Sequence, residues 1–395
     1  MKNGCVAILD IRSREISFSL GSKGVNNTFV FSGMHSEKYE GYCAEGFLDE
    51  ESFRKAVIRA ISAVQQTYNG IIDSICVGVP SSFVSVHTTG HTAAYNVKRK
   101  ITSQDIEALY ESGLNGLMAQ GVCIRRSAMY FTLGDNRKYF SANDVYGVST
   151  NMLKGALCYY FVSERFHAFV TGILAEMGFF DVKFIPSTLA QSIYLLPEKN
   201  RDGYAFLLDI GFMTSTISVV YGSGIVREET FDCGIASVLV SLIETLDISV
   251  AVAEEMLELA NISGGSVPRD LKYYTELDER TFSVQQINDV IKCALDVLCE
   301  NVDAFLRKYY KDKTSMMLTT NPISVTGEGL SGIKGVAEHI AKRVNWLTER
   351  VYPDLPYYDK PTYSSKIALL AMAICDSEKK SLWQRIFNKN GGMKR

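Results

Sequence analysis

Two aspartates that end apolar strands half a chain apart are the residues of this sequence best suited to chemistry. Asp209 follows the apolar run 205–208 and precedes a hydroxyl-bearing turn, Thr214-Ser215-Thr216. Asp10 ends a similar run in the segment CVAILDIRSREISFSLG, at 5–21. A strand-end carboxylate can orient a cation, and a turn rich in backbone N–H groups and hydroxyls can hold phosphate oxygens. The pattern therefore predicts a Mg²⁺-nucleotide site.

The repetition of this hairpin also predicts the architecture. Ile16-Ser17 in the first copy matches Ile217-Ser218 in the second, so the second turn is two residues longer. A duplicated hairpin indicates two similar lobes that face each other across a cleft. A Gly-rich strand-to-helix turn at 326–335 could accept the nucleoside. The chain thus has three parts of a nucleotide site in order, at 10–15, 209–216 and 326–335.

Strands and helices are predicted to alternate around these motifs, which gives an α/β fold. Asp49 is the expected N-cap of a helix over 48–66, and Ser163 that of a helix over 164–177. Residues 83–163 are predicted to form a separate α+β unit, in which Ser103 precedes a helix. Its expected elements are strands at 85–95, 121–127, 128–133 and 157–162 and a helix at 104–112. A helix-rich part follows the second hairpin, and 366–375 reads as a buried helix.

The bulk composition excludes some classes of function. The chain has 395 residues, a net charge of −3 and a pI near 6.0, which argues against general nucleic-acid binding. Its nine cysteines form no CxxC pair and lie mostly in apolar runs, so reduced core cysteines of a cytoplasmic protein are expected. No signal peptide is predicted, and the apolar run 367–375 is too short to span a membrane.

The order of hairpin, inserted unit, hairpin and Thr-Gly-x-Gly turn resembles the actin-like ATPase superfamily, and within it FtsA. FtsA is the bacterial division protein that links FtsZ filaments to the membrane. Residues 143–147 resemble its Asp-Pro-Ile-Gly stretch, Ala253-Glu254 resembles the Ala-Glu of its nucleotide-contacting helix, and 325–333 resembles its adenosine motif. The resemblance implies an actin-like (ribonuclease H-like) two-lobed ATPase fold with a small inserted α+β subdomain.

The resemblance also implies a division into subdomains and a set of ligand contacts. The first lobe would comprise 1–82, 164–200 and 351–378, with the insertion at 83–163; the second would comprise 201–230 and 306–350, with a helix-rich subdomain at 231–305. ATP and Mg²⁺ are the expected cofactors, with Asp10 and Asp209 holding Mg²⁺ through water. The expected nucleotide contacts are Asp10, Ser13, Arg14, Asp209, Gly211, Thr214, Thr216, Glu254, Gly327 and Gly329. Gln191 is the candidate for positioning a catalytic water.

Several residues depart from the family pattern in ways that weaken phosphate binding. Arg12 replaces a glycine, and Glu15 stands where the family has a phosphate-binding lysine. Phe212 and Met213 replace glycines of the second turn, and Glu328 interrupts the glycines of the adenosine turn. Side chains at such positions crowd a phosphate, and a carboxylate repels it. Leu257 replaces a lysine and Ser187 an acid, so at most a weak ATPase is expected.

The C-terminal segment, KKSLWQRIFNKN at 379–390, has the pattern of a membrane-surface helix. Its apolar residues fall within one arc of about 140° at 100° per residue, and basic residues flank them. Such a helix can lie in the plane of an anionic leaflet. The segment follows an expected polar break at 376–378 and resembles the membrane-targeting helix of FtsA. The predicted membrane contacts are Leu382, Trp383, Arg385, Ile386, Phe387 and Lys389; 379–395 is taken as the targeting segment.

These observations predict an FtsA-like protein on the cytoplasmic face of a bacterial membrane at the division site. It would polymerise, bind the FtsZ C-terminal tail through 231–305, and contact other divisome proteins and an anionic membrane surface. A PilM-like scaffold of a pilus or secretion assembly is one alternative, and it would lack the terminal helix. An FtsA paralogue without nucleotide is another, and an ATP-dependent sugar kinase would need a catalytic acid in the cleft. His87 and His91 lie on a predicted strand with no third ligand, so no metal site is expected there.

Overall fold

The computed structural model describes residues 5–390, except 73, 118, 264–271, 275–279, 312–320 and 331–332. Side chains are described for these residues apart from 27, 310–311, 330 and 379–390.

The elements alternate as an α/β fold requires. The strands are β1 (Val6–Ile11), β2 (Glu15–Lys23), β3 (Phe29–Lys38), β4 (Tyr42–Cys43), β5 (Gly46–Phe47), β6 (Ser74–Val79), β7 (Val84–Lys100), β8 (Val122–Leu133), β9 (Lys138–Tyr139), β10 (Ser149–Val162), β11 (Asp181–Pro186), β12 (Ala205–Ile210), β13 (Ser215–Tyr221), β14 (Gly224–Phe231), β15 (Lys272–Tyr274), β16 (Thr281–Ser283), β17 (Ile323–Thr326) and β18 (Thr348–Arg350). The helices are α1 (Glu50–Thr67), α2 (Ser103–Asn115), α3 (Ala142–Val145), α4 (Glu164–Glu176), α5 (Ser187–Leu195), α6 (Glu198–Arg201), α7 (Ile235–Leu246), α8 (Val250–Leu259), α9 (Val284–Leu306), α10 (Val336–Val344) and α11 (Ser364–Asn390). Short helical turns lie at Val25–Asn27, Ser81–Phe83, Arg307–Lys311, Glu328–Leu330 and Pro361–Tyr363.

Two five-stranded sheets with matching topology form the two lobes. The first sheet has the order β11-β6-β1-β2-β3, and the second has the order β14-β13-β12-β17-β18. Each contains an antiparallel hairpin, β1–β2 or β12–β13, whose first strand also pairs in parallel with a later strand. Asp10 lies opposite Ser17 in the first hairpin, and Asp209 lies opposite Thr216 in the second. The predicted duplication of the hairpin is confirmed.

Each sheet is held in place by helices that bury one apolar face. In the first lobe, α1 packs six buried side chains against the sheet, and Asp49 caps its first turn by accepting from two backbone N–H groups, as predicted. Helices α5 and α11 cover the opposite face. In the second lobe, α7 to α10 and the sheet share one large apolar cluster. The first sheet is therefore buried on both faces near its hairpin, and the second is buried against its helices.

The segment 83–163 contains its own four-stranded sheet, of order β7-β10-β8-β9, with α2 packed against it. Two expectations were wrong in detail. Residues 121–127 and 128–133 form one continuous strand, β8, because both halves pair with β10 across two bulges. The N-cap of α2 is Thr102 rather than Ser103, since the Thr102 hydroxyl accepts from the Asp105 N–H while Asp105 accepts in return from Thr102.

Helix α11 differs from its prediction at the C-terminal end. It was expected to stop near 375, before a polar break at 376–378, but it continues from Ser364 to Asn390. Ser377 donates its hydroxyl to the Ile374 carbonyl, and Asp376 forms a bidentate ion pair with Arg125 of β8. Both contacts are compatible with a continuous helix, so polarity alone does not end it.

Hydropathy gives a limited result about membranes. Among the described residues no single helix is long and apolar enough to cross a bilayer; α7 and α8 reach the threshold together, but the chain bends by 114° between them.

Candidate functional site

The turns of the two hairpins meet across the cleft between the lobes, and an arginine joins them. Arg12, in the first turn, donates from its two terminal nitrogens to both oxygens of Asp209, at 2.7 and 3.0 Å. Only 13% of the Arg12 side chain and 10% of the Asp209 side chain are exposed. A bidentate guanidinium–carboxylate pair with this little solvent exposure is among the stronger polar contacts in proteins. The position predicted to bind Mg²⁺ therefore holds a side-chain cation.

Three backbone N–H groups of the second turn, those of Gly211, Phe212 and Met213, have protein partners. The Phe212 N–H donates to Oε1 of Glu328 at 3.1 Å, and the Met213 N–H donates to the Ser13 hydroxyl at 2.9 Å. The Gly211 N–H donates within the turn to the Thr214 carbonyl at 2.9 Å. The donors expected to hold phosphate oxygens are thus already satisfied by a carboxylate, a hydroxyl and a carbonyl.

Charge and burial shift the pKa values of these groups in different directions. Burial by itself would raise the pKa of Asp209, but the attraction and hydrogen bonds of Arg12 outweigh it and lower the pKa below the usual range. Burial opposes the Arg12 charge, yet Asp209 and Glu328 together hold the Arg12 pKa well above its usual value. The pKa of Glu328 is raised, chiefly by burial, although Arg12 partly offsets it. Arg12 therefore serves as the shared cation of two acids.

Asp10 is separated from this ion pair and has a different environment. It is 3% exposed, and the hydroxyl of Ser365 on α11 donates to its Oδ1 at 2.8 Å. Burial raises the pKa of Asp10 despite the opposing effects of Arg12 and this hydrogen bond. The two acids predicted to hold Mg²⁺ are consequently not equivalent, since one is bound to an arginine and the other to a serine.

A second arginine of the first turn reaches the helix-rich part of the other lobe. Arg14 forms an ion pair with Glu254 on α8, and its guanidinium lies 4.4 Å from the centre of the Phe212 ring. Both charged side chains are about one third exposed, so water screens this pair more than the Arg12 pair. Arg14 and Glu254, both predicted nucleotide contacts, are thereby brought together with each other.

The predicted hydroxyl turn is shorter than expected. Ser215 and Thr216 lie on β13, and the turn itself is 211–214. The Thr216 hydroxyl is hydrogen-bonded to Thr230 at 2.9 Å, and the Ser215 hydroxyl donates to the Cys233 carbonyl at 2.6 Å. Thr214 is buried at the turn. The Thr216 hydroxyl, a predicted nucleotide contact, is therefore hydrogen-bonded within its own sheet.

The glycines of the third motif pack tightly against the second hairpin. Gly327 has φ +110°, and a Cβ placed there would lie 2.4 Å from Oδ1 of Asp209. A Cβ at Gly329 would lie within 3.0 Å of the Gly211 carbonyl oxygen, which shows how closely the two turns approach. Thr326, just before this turn, shares a 2.7 Å hydrogen bond with Ser364 of α11.

Gln191 lies on α5 at the base of the cleft. It is 1% exposed and lies near enough to Asp209 to help lower the pKa of that carboxyl, but its amide atoms make no hydrogen bond of good geometry with the described part of the chain. The hydroxyl of Ser187, one turn earlier, is likewise buried without such a partner. A role for Gln191 in positioning water stays a prediction.

A further polar cluster was missed by sequence reasoning. Ser81, after β6, donates to Glu228 of β14 at 3.1 Å and is hydrogen-bonded to Thr188 of α5. Burial raises the pKa of Glu228 to about 8. The cluster joins three segments that are distant in sequence, and no local motif marks it.

These residues do not fit Mg²⁺ and a polyphosphate as arranged. Both oxygens of Asp209 bind Arg12, and the turn N–H groups bind Glu328 and Ser13. Phosphate at this turn would also meet the carboxylate of Glu328, which repels it.

A groove lies between α7 and α9, in the helix-rich part of the second lobe. Its volume is about 680 Å³, and its walls include Ser241 and Thr245 of α7 and Gln286, Cys293 and Val297 of α9. Val297 is 52% exposed, so the groove has an apolar rim open to solvent. The opposite side of α9 carries Asp296 and Cys299, which lie together with His339 of α10 within 4.8 Å, although Asp296 is already paired with His339 and Arg343.

The remaining predicted site residues lie in two places. His87 and His91 are on strand β7, as expected. The predicted membrane contacts at 382–389 lie on the last turns of α11, and their side chains are outside the described residues.

Two lobes with matching hairpin-centred sheets, an inserted subdomain and a cleft between the hairpin turns define the actin-like ATPase fold, and the chain has this fold. It is similar to the solved PilM-PilN type IV pilus biogenesis complex, with a TM-score of 0.59 and 11% identity over 94% of this chain and 99% of that one. It is also similar to MreB5 of Spiroplasma citri bound to AMPPNP (TM-score 0.54, 10% identity, 98% and 100% covered). The MamK double helical filament gives a TM-score of 0.50 at 13% identity, with 93% and 98% covered. No family model and no curated protein matches the sequence.

Proposed function

We propose that this chain is an actin-fold scaffold protein that binds a peptide segment of a partner and assembles with copies of itself at a membrane. The groove between α7 and α9 is the observation that carries the proposal. It lies in the helix-rich part of the second lobe, and a groove between two helices is a common site for a short amphipathic segment. The cleft, by contrast, offers no nucleophile and base in a catalytic arrangement among its described residues.

The groove has the features that peptide recognition needs. Val297 on its rim supplies apolar surface, while Ser241, Thr245 and Gln286 offer hydrogen-bonding groups along its walls. Asp289 adds a negative charge to the α9 wall, which would select the orientation of a charged peptide. An isolated exposed valine needs no explanation, but one beside a groove of this size supports a docking role.

The partner we propose is the C-terminal tail of FtsZ, as the resemblance to FtsA implies. The pattern of 379–390 supports attachment to the cytoplasmic face of a bacterial membrane, at the division site with other divisome proteins. Self-assembly is supported by the similarity to MamK, whose solved structure is a filament.

A PilM-like scaffold of a pilus or secretion assembly is the second candidate. It is favoured by the similarity in fold to PilM in its complex with PilN, which extends over 94% of this chain. This role also rests on binding a partner protein, so the two candidates differ in which partner is bound.

The test is equilibrium binding of an FtsZ C-terminal tail peptide to the full chain by fluorescence anisotropy. We expect Val297→Glu to weaken binding at least about tenfold, because it places a charge on the apolar rim. Val250→Glu is the matched control: Val250 is 57% exposed on α8 and does not line the groove.

The results separate the candidates. Binding that both variants leave unchanged would contradict the groove as the site. Binding of PilN instead of the FtsZ peptide would favour the pilus role.

A further inference from the structure

The nucleotide position of this fold contains one cation and one anion supplied by the chain itself. Arg12 binds both oxygens of Asp209, the acid predicted to orient Mg²⁺. Glu328 accepts from the Phe212 N–H, a donor of the turn predicted to hold phosphate. The Arg12 guanidinium therefore lies on the acid predicted to bind metal, and the Glu328 carboxylate lies on the turn predicted to bind phosphate.

We propose that Arg12 and Glu328 are a built-in substitute for the Mg²⁺ and phosphate of a nucleotide, and that they hold the two lobes closed with no nucleotide bound. The guanidinium presents a planar fork that matches a carboxylate, so it neutralises Asp209 with two hydrogen bonds instead of metal coordination. Arg12 also attracts Glu328, so the two inserted charges support each other as a metal and a phosphate do.

The Arg12–Asp209 and Ser13–Met213 contacts cross from one lobe to the other, which is what lobe closure requires, whereas the Glu328–Phe212 contact lies within the second lobe and acts on closure through its attraction to Arg12. Arg12 and Ser13 belong to the hairpin of the first lobe, whereas Asp209 and Met213 belong to the hairpin of the second. Near the edge of the cleft, Asp232 of the second lobe accepts from the backbone N–H of Ala44 in the first at 2.7 Å. In an actin-like protein that closes on nucleotide, each lobe would contact the ligand between them. Here the residues of the two lobes contact each other directly.

Charge balance explains why both Arg12 and Glu328 are needed to take the place of Mg²⁺ and phosphate. Arginine at position 12 would by itself leave the Phe212 N–H without its anion, and glutamate at position 328 alone would place a second unpaired acid beside Asp209. A buried charge without a partner is strongly destabilising, whereas a set of three with matched hydrogen bonds is tolerated. The inference concerns the cleft and does not depend on which partner the groove binds.

A competing explanation is that Arg12 swings away from Asp209 and binds phosphate when ATP is present. The two explanations differ in a measurement. Isothermal titration of the full chain with ATP and Mg²⁺ should give no saturable heat up to about 1 mM nucleotide. Micromolar binding by the wild type would overturn the proposal, and its loss in Arg12→Gly would make Arg12 a nucleotide ligand.

The double variant Arg12→Gly, Glu328→Gly tests the same residues in the opposite direction. It removes both charges and places glycine at two of the positions where the FtsA pattern has it, so we expect it to gain ATP affinity at least about tenfold. The matched control is Arg126→Gly, Glu107→Gly, which removes an ion pair of the inserted subdomain and should gain none. A folded double variant that gains no affinity would overturn the assignment of Arg12 and Glu328 as the excluding residues.

Amide hydrogen exchange tests lobe closure in the wild type and does not depend on a variant that gains ATP affinity. In the wild type, exchange of peptides covering 5–20 and 205–221 should be unchanged by about 1 mM ATP and Mg²⁺, because the bridges are already made. In Arg12→Lys, which keeps the charge but not the fork, exchange at both peptides should rise. Slower exchange on adding ATP to the wild type would contradict closure by side chains.

Discussion

Removal of the Arg12 side chain should cost far more stability than removal of an exposed arginine. Arg12→Ala leaves Asp209 buried with no counter-ion, beside the acid Glu328. Breaking a buried pair by deleting one partner typically costs about 3–5 kcal/mol. For a lobe of this size, that corresponds to a fall in the unfolding midpoint on the order of 10 °C.

The assay is urea unfolding of the wild type and of Arg12→Ala at pH 7, followed by circular dichroism. Arg126→Ala is the control, because Arg126 also forms two ion pairs, with Glu107 and Glu111, but on an exposed surface. That variant should lose no more than about 1 kcal/mol. A loss of the same size in both variants would refute the claim that the Arg12–Asp209 pair is a buried element of closure.

The pH dependence of this difference follows from the lowered pKa of Asp209. A carboxyl whose pKa is lowered in the fold contributes stability that is present above its unfolded pKa of about 3.9 and is lost as the pH falls through the folded value. The difference between wild type and Arg12→Ala should therefore be largest near pH 7 and shrink towards pH 4, where Asp209 of the variant becomes protonated. A difference that grows with acidity would contradict this assignment.

Three other predictions concern separate parts of the chain. Burial raises the pKa of Glu228 to about 8, so the stability that its protonated form contributes is lost as the pH rises from about 4.3 to 8. The free energy of unfolding of Glu228→Gln, relative to wild type, should therefore be about 1–3 kcal/mol higher at pH 8 than at pH 5. Thermal unfolding at the two pH values measures this, and an unchanged pH slope would contradict it. Gly327→Ala should lose about 1–3 kcal/mol because Gly327 has φ +110° and a Cβ would meet Asp209, and a neutral result in urea unfolding would contradict that packing. Full-length chain should float with anionic liposomes while a chain ending at Ser377 should not, and equal flotation would rule out the tail as the anchor.

The fold could be predicted from the sequence because two short motifs recur with the same chemistry. The Leu-Asp-Ile strand ends at Asp10 and Asp209 identify the two hairpins, and strand periodicity places them in sheets. The helix caps at Asp49 and Ser163 were also predicted correctly, since capping depends on a few adjacent residues.

Other features could not be predicted because they depend on contacts between distant residues. The departures Arg12 and Glu328 were visible in the sequence, but their partners Asp209 and Phe212 are far away in the chain. The Glu228 cluster joins three elements in the same way. The end of α11 was also wrong in prediction: a polar stretch is a weak stop signal without glycine or proline, so the helix continues.

The most direct test of the account is a crystal structure of the full chain grown with ATP and Mg²⁺ at millimolar concentration. We expect Arg12 to remain on both oxygens of Asp209 and Glu328 to remain on the Phe212 N–H, with no nucleotide between the hairpins. Phosphates seated between the two turns, with Arg12 displaced from Asp209, would contradict the account.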